Sequence, residues 1–449
     1  MTTRRTYLPL PPMGRSLKYT EEYVCNFCSN PLTHVFCDLG HQPPSNSFLT
    51  KAQLEQPETY YPLKAYVCEK CWLVQVPETK KAMDIFNEDY VYFSSESQSN
   101  VQHAKEFADE MVRRFKLNEN SQVMEIGSND GYMLQFFKNK NIPNIGVDPS
   151  KKCTIEASKK GIFTFNTFFT SELASDIKFE TEETNGLWKF DLICGINVLA
   201  HQPNINDFVE GVRIALKPDG VAVFEFPWLL KLVENMEFDT IYHEHFSYFS
   251  IKSLDKIFLA HGMQIFDIEK LDTHGGSLRI YIEHLPGNPD HKSPVLNPLI
   301  EWEWESEINT IDYYLGFQSK VQQIRRDFME FIYSIPNDKV IVAYGAAAKG
   351  NTFLNYCGIH SDLIPLVVDR SPHKQDKYLP GSHIFVTNEE DGIVNLQPDY
   401  VLILAWNLKA EIMEQLKYVM TWGGKFVTAI PELLQYNISS DGTWKPWKL

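Results

Sequence analysis

Between residues 21 and 80 the apolar positions come in short runs, Tyr66-Val67 and Leu73-Val74-Gln75-Val76, separated by turn formers such as Gln42-Pro43-Pro44-Ser45-Asn46. Runs of this length predict a small β-containing module rather than a helical one. The spacing then changes. Val101, Ala104, Lys105, Ala108, Met111, Val112 and Phe115 recur every three or four positions, which predicts an amphipathic helix. Beyond it, strand and helix patterns alternate. Val123 to Ile126 predicts a strand that ends in the turn Gly127-Ser128-Asn129-Asp130-Gly131, with a helix over Tyr132 to Lys138. Ile145 to Asp148 predicts a second strand, ending on an acid. Asp191 to Cys194 and Val221 to Glu225 predict later strands, with a helix over Asp207 to Leu216 between them. This rhythm predicts a mostly parallel sheet with helices on both faces.

Residues 227–250 interrupt the alternation with a loop-like string of Trp, Tyr, Phe and His. A long amphipathic segment, Ile300 to Ile335, is stopped by Pro336 and leads into another α/β unit. There Val340 to Tyr344 predicts a strand running into Gly345 and a helix, with further strands at Leu366 to Asp369 and Tyr400 to Leu404. No fixed-period repeat or low-complexity tract is present. The expected fold class is α/β, a small module followed by two α/β domains.

The chain has 449 residues, which suits roughly three domains at about 150 residues each. With 42 basic against 58 acidic residues its formal net charge is -16. A general binder of nucleic acid or anionic membrane needs a basic face to replace counterions, so neither is expected as a partner. A local basic pocket for a small phosphate remains compatible with the balance. No apolar run approaches the length of a membrane span. Met1 to Thr20 is basic and carries Pro9, Pro11 and Pro12, without the apolar centre of a signal peptide. The expectation is a cytoplasmic protein whose residues 1–20 form a disordered extension.

Four of the eight cysteines form two knuckles, Cys25 with Cys28 and Cys68 with Cys71. A two-residue gap turns both thiolates of a knuckle onto one ion, and two knuckles complete a tetrahedron. Four sulfur ligands leave no open position for water, which points to structural zinc holding a small domain that lacks a core. A redox pair is the alternative.

Three further segments are candidates for chemistry. In Glu125-Ile126-Gly127-Ser128-Asn129-Asp130-Gly131 the glycine turn lets a ligand approach the backbone, and Asp148 at the end of the next strand can accept from ribose hydroxyls. This arrangement serves NAD, FAD and S-adenosylmethionine alike. The acid ahead of the glycines and the missing pyrophosphate fingerprint favour the last. The second segment, Thr240-Ile241-Tyr242-His243-Glu244-His245-Phe246-Ser247-Tyr248-Phe249, concentrates imidazole, carboxylate and phenol beyond the Val221–Glu225 strand, where α/β sites are built. It is not a metalloprotease motif, because position 247 is Ser. An imidazole is a natural base near neutral pH, and a tyrosine hydroxyl can donate to a developing oxyanion. Asn197 and His201, just after the Asp191–Cys194 strand, could reach the same cleft. The third segment, Gly345-Ala346-Ala347-Ala348-Lys349-Gly350-Asn351-Thr352, is not a Walker A loop but suits a phosphate or diphosphate, with Arg279 as a second cation.

Taken in order, the four-cysteine module, Glu125–Gly131, Asn197–His201, Tyr242–Phe249, Gly275–Arg279 and Gly345–Thr352 resemble the sugar-nucleotide C-methyltransferases of branched-chain deoxysugar biosynthesis. The resemblance runs from about Tyr23 to the C-terminus. It implies a zinc-binding module over residues 21–90, an S-adenosyl-L-methionine-dependent Rossmann-like domain over 91–300, and a second Rossmann-like domain over 301–449 that helps bind the nucleotide sugar. It implies that Glu125, Gly127, Asn129, Gly131, Asp148 and Asn197 line the donor site. His245 would be the base, with Tyr242, Glu244 and His201 around a nucleotide-linked 4-keto sugar. Lys349, Asn351 and Arg279 would lie near the nucleotide or its diphosphate, and Tyr92 would touch substrate. Glu244 would either orient a histidine or contact the sugar. No protein partner is implied. An NAD-dependent oxidoreductase would need the pyrophosphate fingerprint that neither glycine segment provides. A non-enzymatic zinc-knuckle adaptor would need neither the acid–glycine turn nor the histidine cluster.

Overall fold

The computed structural model describes residues 23–86, 93–179, 189–288, 296–439 and 443–449. The residue 1–20 extension and Tyr92 lie outside the described residues. The N-terminal module contains β1 (His34–Gln42), β2 (Tyr61–Val67) and β3 (Val74–Gln75), paired antiparallel in that order. Along β2, Leu63, Ala65 and Val67 are buried while the positions between them are not, the period of two that one covered sheet face requires. The expectation that this module lacks a core is corrected. Phe36, Cys37, Leu39, Leu63 and Val74 belong to one continuous apolar cluster shared with both later units.

The central sheet is built on β4 (Val123–Ile126), β5 (Asn144–Val147), β6 (Thr164–Phe165), β7 (Phe190–Ile196) and β8 (Leu216–Pro227), which run parallel in the order β8-β7-β4-β5-β6. All four residues of β4 are buried, as in a strand covered on both faces. The next strand, β9 (Ser247–Tyr248), joins the N-terminal module instead, with Val74 opposite Tyr248 and Gln75 opposite Ser247. β10 (Met263–Leu271) and β11 (Ser277–His284) then complete the central sheet as an antiparallel edge beside β8. The sheet is therefore mixed, its parallel part confined to one side.

Helix Gln98–Phe115 buries Ala104, Phe107, Ala108 and Met111, and the Ser97 hydroxyl accepts from the Asn100 amide at its start. The segment after Gly131 turns before its helix begins at Leu134. Residues 227–250 are more ordered than a loop. They hold a short helix at Leu229–Glu234, a 3-10 turn at Phe238–Thr240 and β9, because Leu229, Leu230, Leu232, Phe238 and Ile241 are all buried. The expected long segment from Ile300 to Ile335 is three helices, Leu296–Glu305, Ile311–Tyr314 and Phe317–Ser334. Glu307 (φ 61°) and Gly316 (φ 86°) separate them, and a right-handed helix cannot continue through a left-handed residue.

The C-terminal sheet has β12 (Ile341–Tyr344), β13 (Leu366–Val368), β14 (Phe385–Thr387), β15 (Tyr400–Ile403) and β16 (Lys425–Thr428) in parallel. β17 (Leu434–Ile438) and β18 (Trp444–Lys448) close one edge antiparallel. The order β14-β13-β12-β15-β16 reverses direction at β12, and the order β7-β4-β5 does the same at β4. Crevices at such reversals, beyond the carboxyl ends of the strands, are where α/β sheets bind ligands. Helix Ala348–Cys357, which follows β12, packs on the 3-10 turn of the central unit through Phe353 and Tyr356 against Phe238, with ring centroids 6.2 and 5.5 Å apart. No helix among the described residues is long and apolar enough to cross a membrane.

Candidate active site

The sulfur atoms of Cys25, Cys28, Cys68 and Cys71 lie within 4.8 Å of one another, the sole cluster of this kind among the described residues. Cys25 is 3.5 Å from Cys71, and Cys28 is 3.5 Å from Cys68. A tetrahedron with Zn–S bonds of about 2.3 Å separates its sulfurs by about 3.8 Å, so the set fits zinc. All four thiols are free of disulfides.

At the end of β4 the chain enters a turn in which Gly127 (φ 69°), Asn129 (φ 48°) and Gly131 (φ 74°) are left-handed. A Cβ at Gly131 would come within 2.7 Å of Ile162, so both the conformation and the packing call for glycine. The two Asp148 carboxylate oxygens accept from the Asn129 amide at 2.9 Å and the Ser150 amide at 2.8 Å. Burial raises the Asp148 carboxyl to about 6 against the pull of those amides. Glu125 is fully buried, and neither of its oxygens has a hydrogen-bond partner among the described residues. Burial, then Asp148 and Asp130, hold its carboxyl well above the usual range. Ser128 Oγ and Asp130 Oδ1 are also buried without partners among the described residues. This concentration of unmatched polar atoms around a glycine turn fits the polar end of an S-adenosyl-L-methionine molecule. The Ser94 amide donates to Asn129 Oδ1 at 2.9 Å, and Ser95 Oγ donates to Asp130, so residues 94–95 strap the turn from outside. Asn197 (φ 56°) leaves β7 with its amide on the Glu225 carbonyl, 2.8 Å away, and its side chain 3.0 Å from His274 Nε2.

The histidine cluster converges on His245. Its Nδ1 lies 2.9 Å from the Thr240 carbonyl, which can only accept. In the neutral ring Nδ1 therefore carries the hydrogen, and Nε2 keeps its lone pair. The Tyr242 ring sits 4.0 Å from the His245 ring and the His201 ring 5.0 Å from it, with Phe86 stacked on His201 at 5.4 Å. Burial, followed by the neighbouring His201, holds His245 well below an ordinary imidazole, and burial brings His201 down to about 4. Both rings are neutral at pH 7. The Glu244 carboxylate accepts from Asn46 Nδ2 of the N-terminal module at 2.7 Å.

The C-terminal unit reaches the same place. Lys349 Nζ donates to Asn407 Oδ1 at 2.9 Å and lies 4.8 Å from the centre of the Trp406 ring. Burial lowers its ammonium, while Asp239 and Glu237 act in the opposite sense. Burial in turn raises Asp239 to about 6 and Glu237 to about 7. Asn351, in the first turn of its helix, is 2% exposed, and neither end of its amide has a partner among the described residues. Arg279 does not join Lys349 and Asn351 as expected. Its guanidinium is bound to Glu225 at 2.7 Å and Glu269 at 2.8 Å, and lies over the Phe107 ring, all within the central unit.

Five residues of this cleft carried no signal in the sequence. Asp239 directly precedes the string that begins at Thr240, with Glu237 two residues before it, and His274 directly precedes the Gly275-Gly276 pair. Their neighbours could have drawn attention to them. Trp406 and Asn407 lie in no motif, and only the packing of two domains brings them in.

Three family models match the chain: a zinc binding domain over residues 25–86, a methyltransferase domain over 98–267, and a C-methyltransferase C-terminal domain over 272–431. The C-methyltransferase NovU of Streptomyces niveus is 33% identical over 410 residues, 91% of this chain and 95% of the relative. Among solved structures, an S-adenosylmethionine-dependent methyltransferase of Anabaena variabilis aligns with 38% of this chain and 82% of its own, at 16% identity and a TM-score of 0.31. A magnesium protoporphyrin IX methyltransferase of Synechocystis aligns with 44% and 88%, at 15% identity and a TM-score of 0.30.

Proposed function

The chain belongs to the C-methyltransferase family, with S-adenosyl-L-methionine as donor and structural zinc, and from that premise we propose that it methylates C3 of a nucleotide-linked 4-keto-deoxyhexose. In this reading residues 21–90 form the zinc module, 91–300 the donor domain and 301–449 a nucleotide-sugar domain. The observation that carries it is the bond from His245 Nδ1 to the Thr240 carbonyl, which leaves Nε2 as a free acceptor beside Tyr242 and His201.

A sugar carbon bearing hydrogen is a poor nucleophile until a neighbouring carbonyl acidifies it. With a ketone at C4, His245 Nε2 takes the proton from C3, and the C–H electron pair moves into a C3–C4 double bond. The C4 oxygen becomes an enolate oxygen. Tyr242 Oη or a neutral His201 N–H donates to it as the charge develops. When bound, S-adenosyl-L-methionine would supply an electrophilic methyl carbon to the enolate carbon, with the pair of the broken C–S bond staying on sulfur and S-adenosylhomocysteine as the leaving group. Restoring the ketone returns the electron pair from oxygen, leaving the added proton on His245 to be lost to solvent.

Asp148, Asn129 and the Gly127–Gly131 backbone hold the donor, and Lys349 and Asn351 face the nucleotide-bearing side. The buried imidazoles and the aromatic rings of Phe86 and Tyr242 exclude water, which strengthens the donors aimed at the enolate. Positioning accounts for most of the rate, since no covalent enzyme intermediate is required. The test is mass spectrometry of the protein with S-adenosyl-L-methionine and a set of nucleotide-linked 4-keto-6-deoxyhexoses. Gain of one methylene, abolished in His245→Ala, is the expected result. No gain with any of them, while S-adenosylhomocysteine binds, would rule out the substrate class. Donor-free incubation in deuterium oxide isolates the first step, because the wild type should exchange the C3 hydrogen and His245→Ala should not.

A further inference from the structure

Gln75 lies between the cysteine cluster and the histidine cluster, and none of its roles in catalysis follows from the reaction just described. It is completely buried. Its Nε2 donates to Cys25 Sγ at 3.2 Å, and its Oε1 accepts from the Asn26 amide at 2.8 Å, so the carboxamide clasps the first cysteine knuckle at two points. Thiolate sulfur bound to a dication still accepts hydrogen bonds, and such outer contacts orient the ligand and tune its hold on the metal.

The backbone of Gln75 faces the other way. On β3 it is paired with Ser247 of β9, two residues after His245. The adjoining Val76 amide donates to the Phe246 carbonyl at 3.1 Å, and the Phe246 amide donates to the Ala200 carbonyl at 2.8 Å, next to His201. One extended strand thus connects the cysteine knuckle to both imidazoles. On the neighbouring pair, Val74 opposes Tyr248, whose hydroxyl reaches the Thr240 carbonyl at 3.4 Å, the same oxygen that fixes His245 Nδ1. A strand pair of two residues has few ladder bonds to fix its position, and the side chain of Gln75 is bonded at the metal end.

We propose that Gln75 is a positioning residue that transmits the geometry of the zinc-bound Cys25 knuckle to His245 through the β3–β9 pair. Zinc then does more than staple a small module, because the catalytic strand is registered against its ligand shell. Side-chain loss at position 75 should loosen the metal and the base together, while leaving the donor turn at Gly127–Gly131, on another strand, untouched. The inference rests on the preceding reading only in taking His245 as the group of interest. The His245→Ala reaction test decides that reading, and the readouts below do not depend on turnover.

The experiment uses the zinc-loaded full chain with 13C-labelled histidine. Gln75→Met preserves length and burial but removes the amide donor and acceptor. Loss of zinc to a chromophoric chelator should accelerate roughly 10- to 100-fold. In the fraction still holding zinc, the His245 ring resonances should move and titrate nearer the ordinary imidazole range, with S-adenosylhomocysteine affinity within about twofold of wild type. Faster zinc loss with an unchanged His245 titration would overturn the proposal, since Gln75 would then serve the metal alone. No change in either would overturn it too. Should Gln75→Met fail to fold, Gln75→Glu, which keeps an acceptor for Asn26, is read by the same two criteria.

Discussion

The indole nitrogen of Trp406 donates to Asp239 Oδ2 across 2.8 Å, tying the C-terminal unit to the residue immediately before the carbonyl that holds His245. Gly275 closes over this contact, since a Cβ there would meet the Trp406 ring at 2.6 Å. Trp406→Phe keeps much of the packing and leaves a buried carboxylate oxygen without its donor. The expected cost is about 1–3 kcal/mol of stability. It should be read as a lower unfolding midpoint in denaturant, accompanied by a fall in kcat at unchanged affinity for S-adenosylhomocysteine.

The acid limb of turnover should lie well below the usual imidazole range. In the proposed reaction only a neutral His245 can accept the C3 proton, and burial with His201 alongside depresses its pKa below the model-peptide value of about 6.5. Because the folded-state pKa is lowered, the base stays deprotonated as pH falls through 6.5, and activity is lost only at more acidic pH. A pH profile of kcat/KM whose acid limb falls at or above pH 6.5 would contradict the assignment.

Donor binding should weaken under acid conditions for a different reason. In the proposed donor site Asp148 would accept from ribose hydroxyls best as a carboxylate, and burial has raised its pKa to about 6. As pH drops through that value the carboxyl gains a proton and becomes a poorer acceptor. The dissociation constant of S-adenosylhomocysteine, measured by calorimetry, should rise below pH 6 and stay flat above pH 7. Asp148→Asn should abolish this pH dependence and bind about tenfold more weakly, the loss of one charge-assisted hydrogen bond.

Loss of a zinc ligand should reach beyond the N-terminal module. Cys68→Ser is expected to lower bound zinc to well under one equivalent, measured by atomic absorption, and to lower the melting temperature. The module's apolar residues share a continuous cluster with both other units, so the transition should shift as a whole. A separate early transition confined to the module would argue against that shared core.

Among the described residues the buried amide of Asn351 has both ends unmatched, a costly state unless a ligand supplies partners. Asn351→Leu should therefore hold or raise stability while raising KM for the proposed nucleotide-sugar substrate about tenfold or more, with kcat changed less. Loss of stability in the variant, with KM unaltered, would show that the amide is satisfied within the protein.

The strands and the helix near the site were legible because short apolar runs and three-to-four-residue spacing are local signals. Val123–Ile126 and Val340–Tyr344 read as short apolar strands, and the Val101–Phe115 spacing as an amphipathic helix, and the structure has them at Val123–Ile126, Ile341–Tyr344 and Gln98–Phe115. The string at residues 227–250 read as a loop, because its polar and aromatic residues follow no period. Its order comes from the partners it packs against. Arg279 read as a phosphate-binding cation, because a sequence shows a charge and not the carboxylates that neutralise it. Glu225 and Glu269 arrive from two other strands.

By itself the sequence determined the α/β class, the four zinc ligands, the glycine turn with its following acid, and the histidine string. Each of these depends on residues close in the chain, where spacing alone constrains geometry. Only the tertiary structure decided that β9 belongs to the zinc module's sheet, that Glu244 answers to Asn46, and that Trp406, Asp239 and Lys349 meet beside His245. Those contacts join residues up to 198 positions apart, and for such pairs proximity is set by how three units share one core.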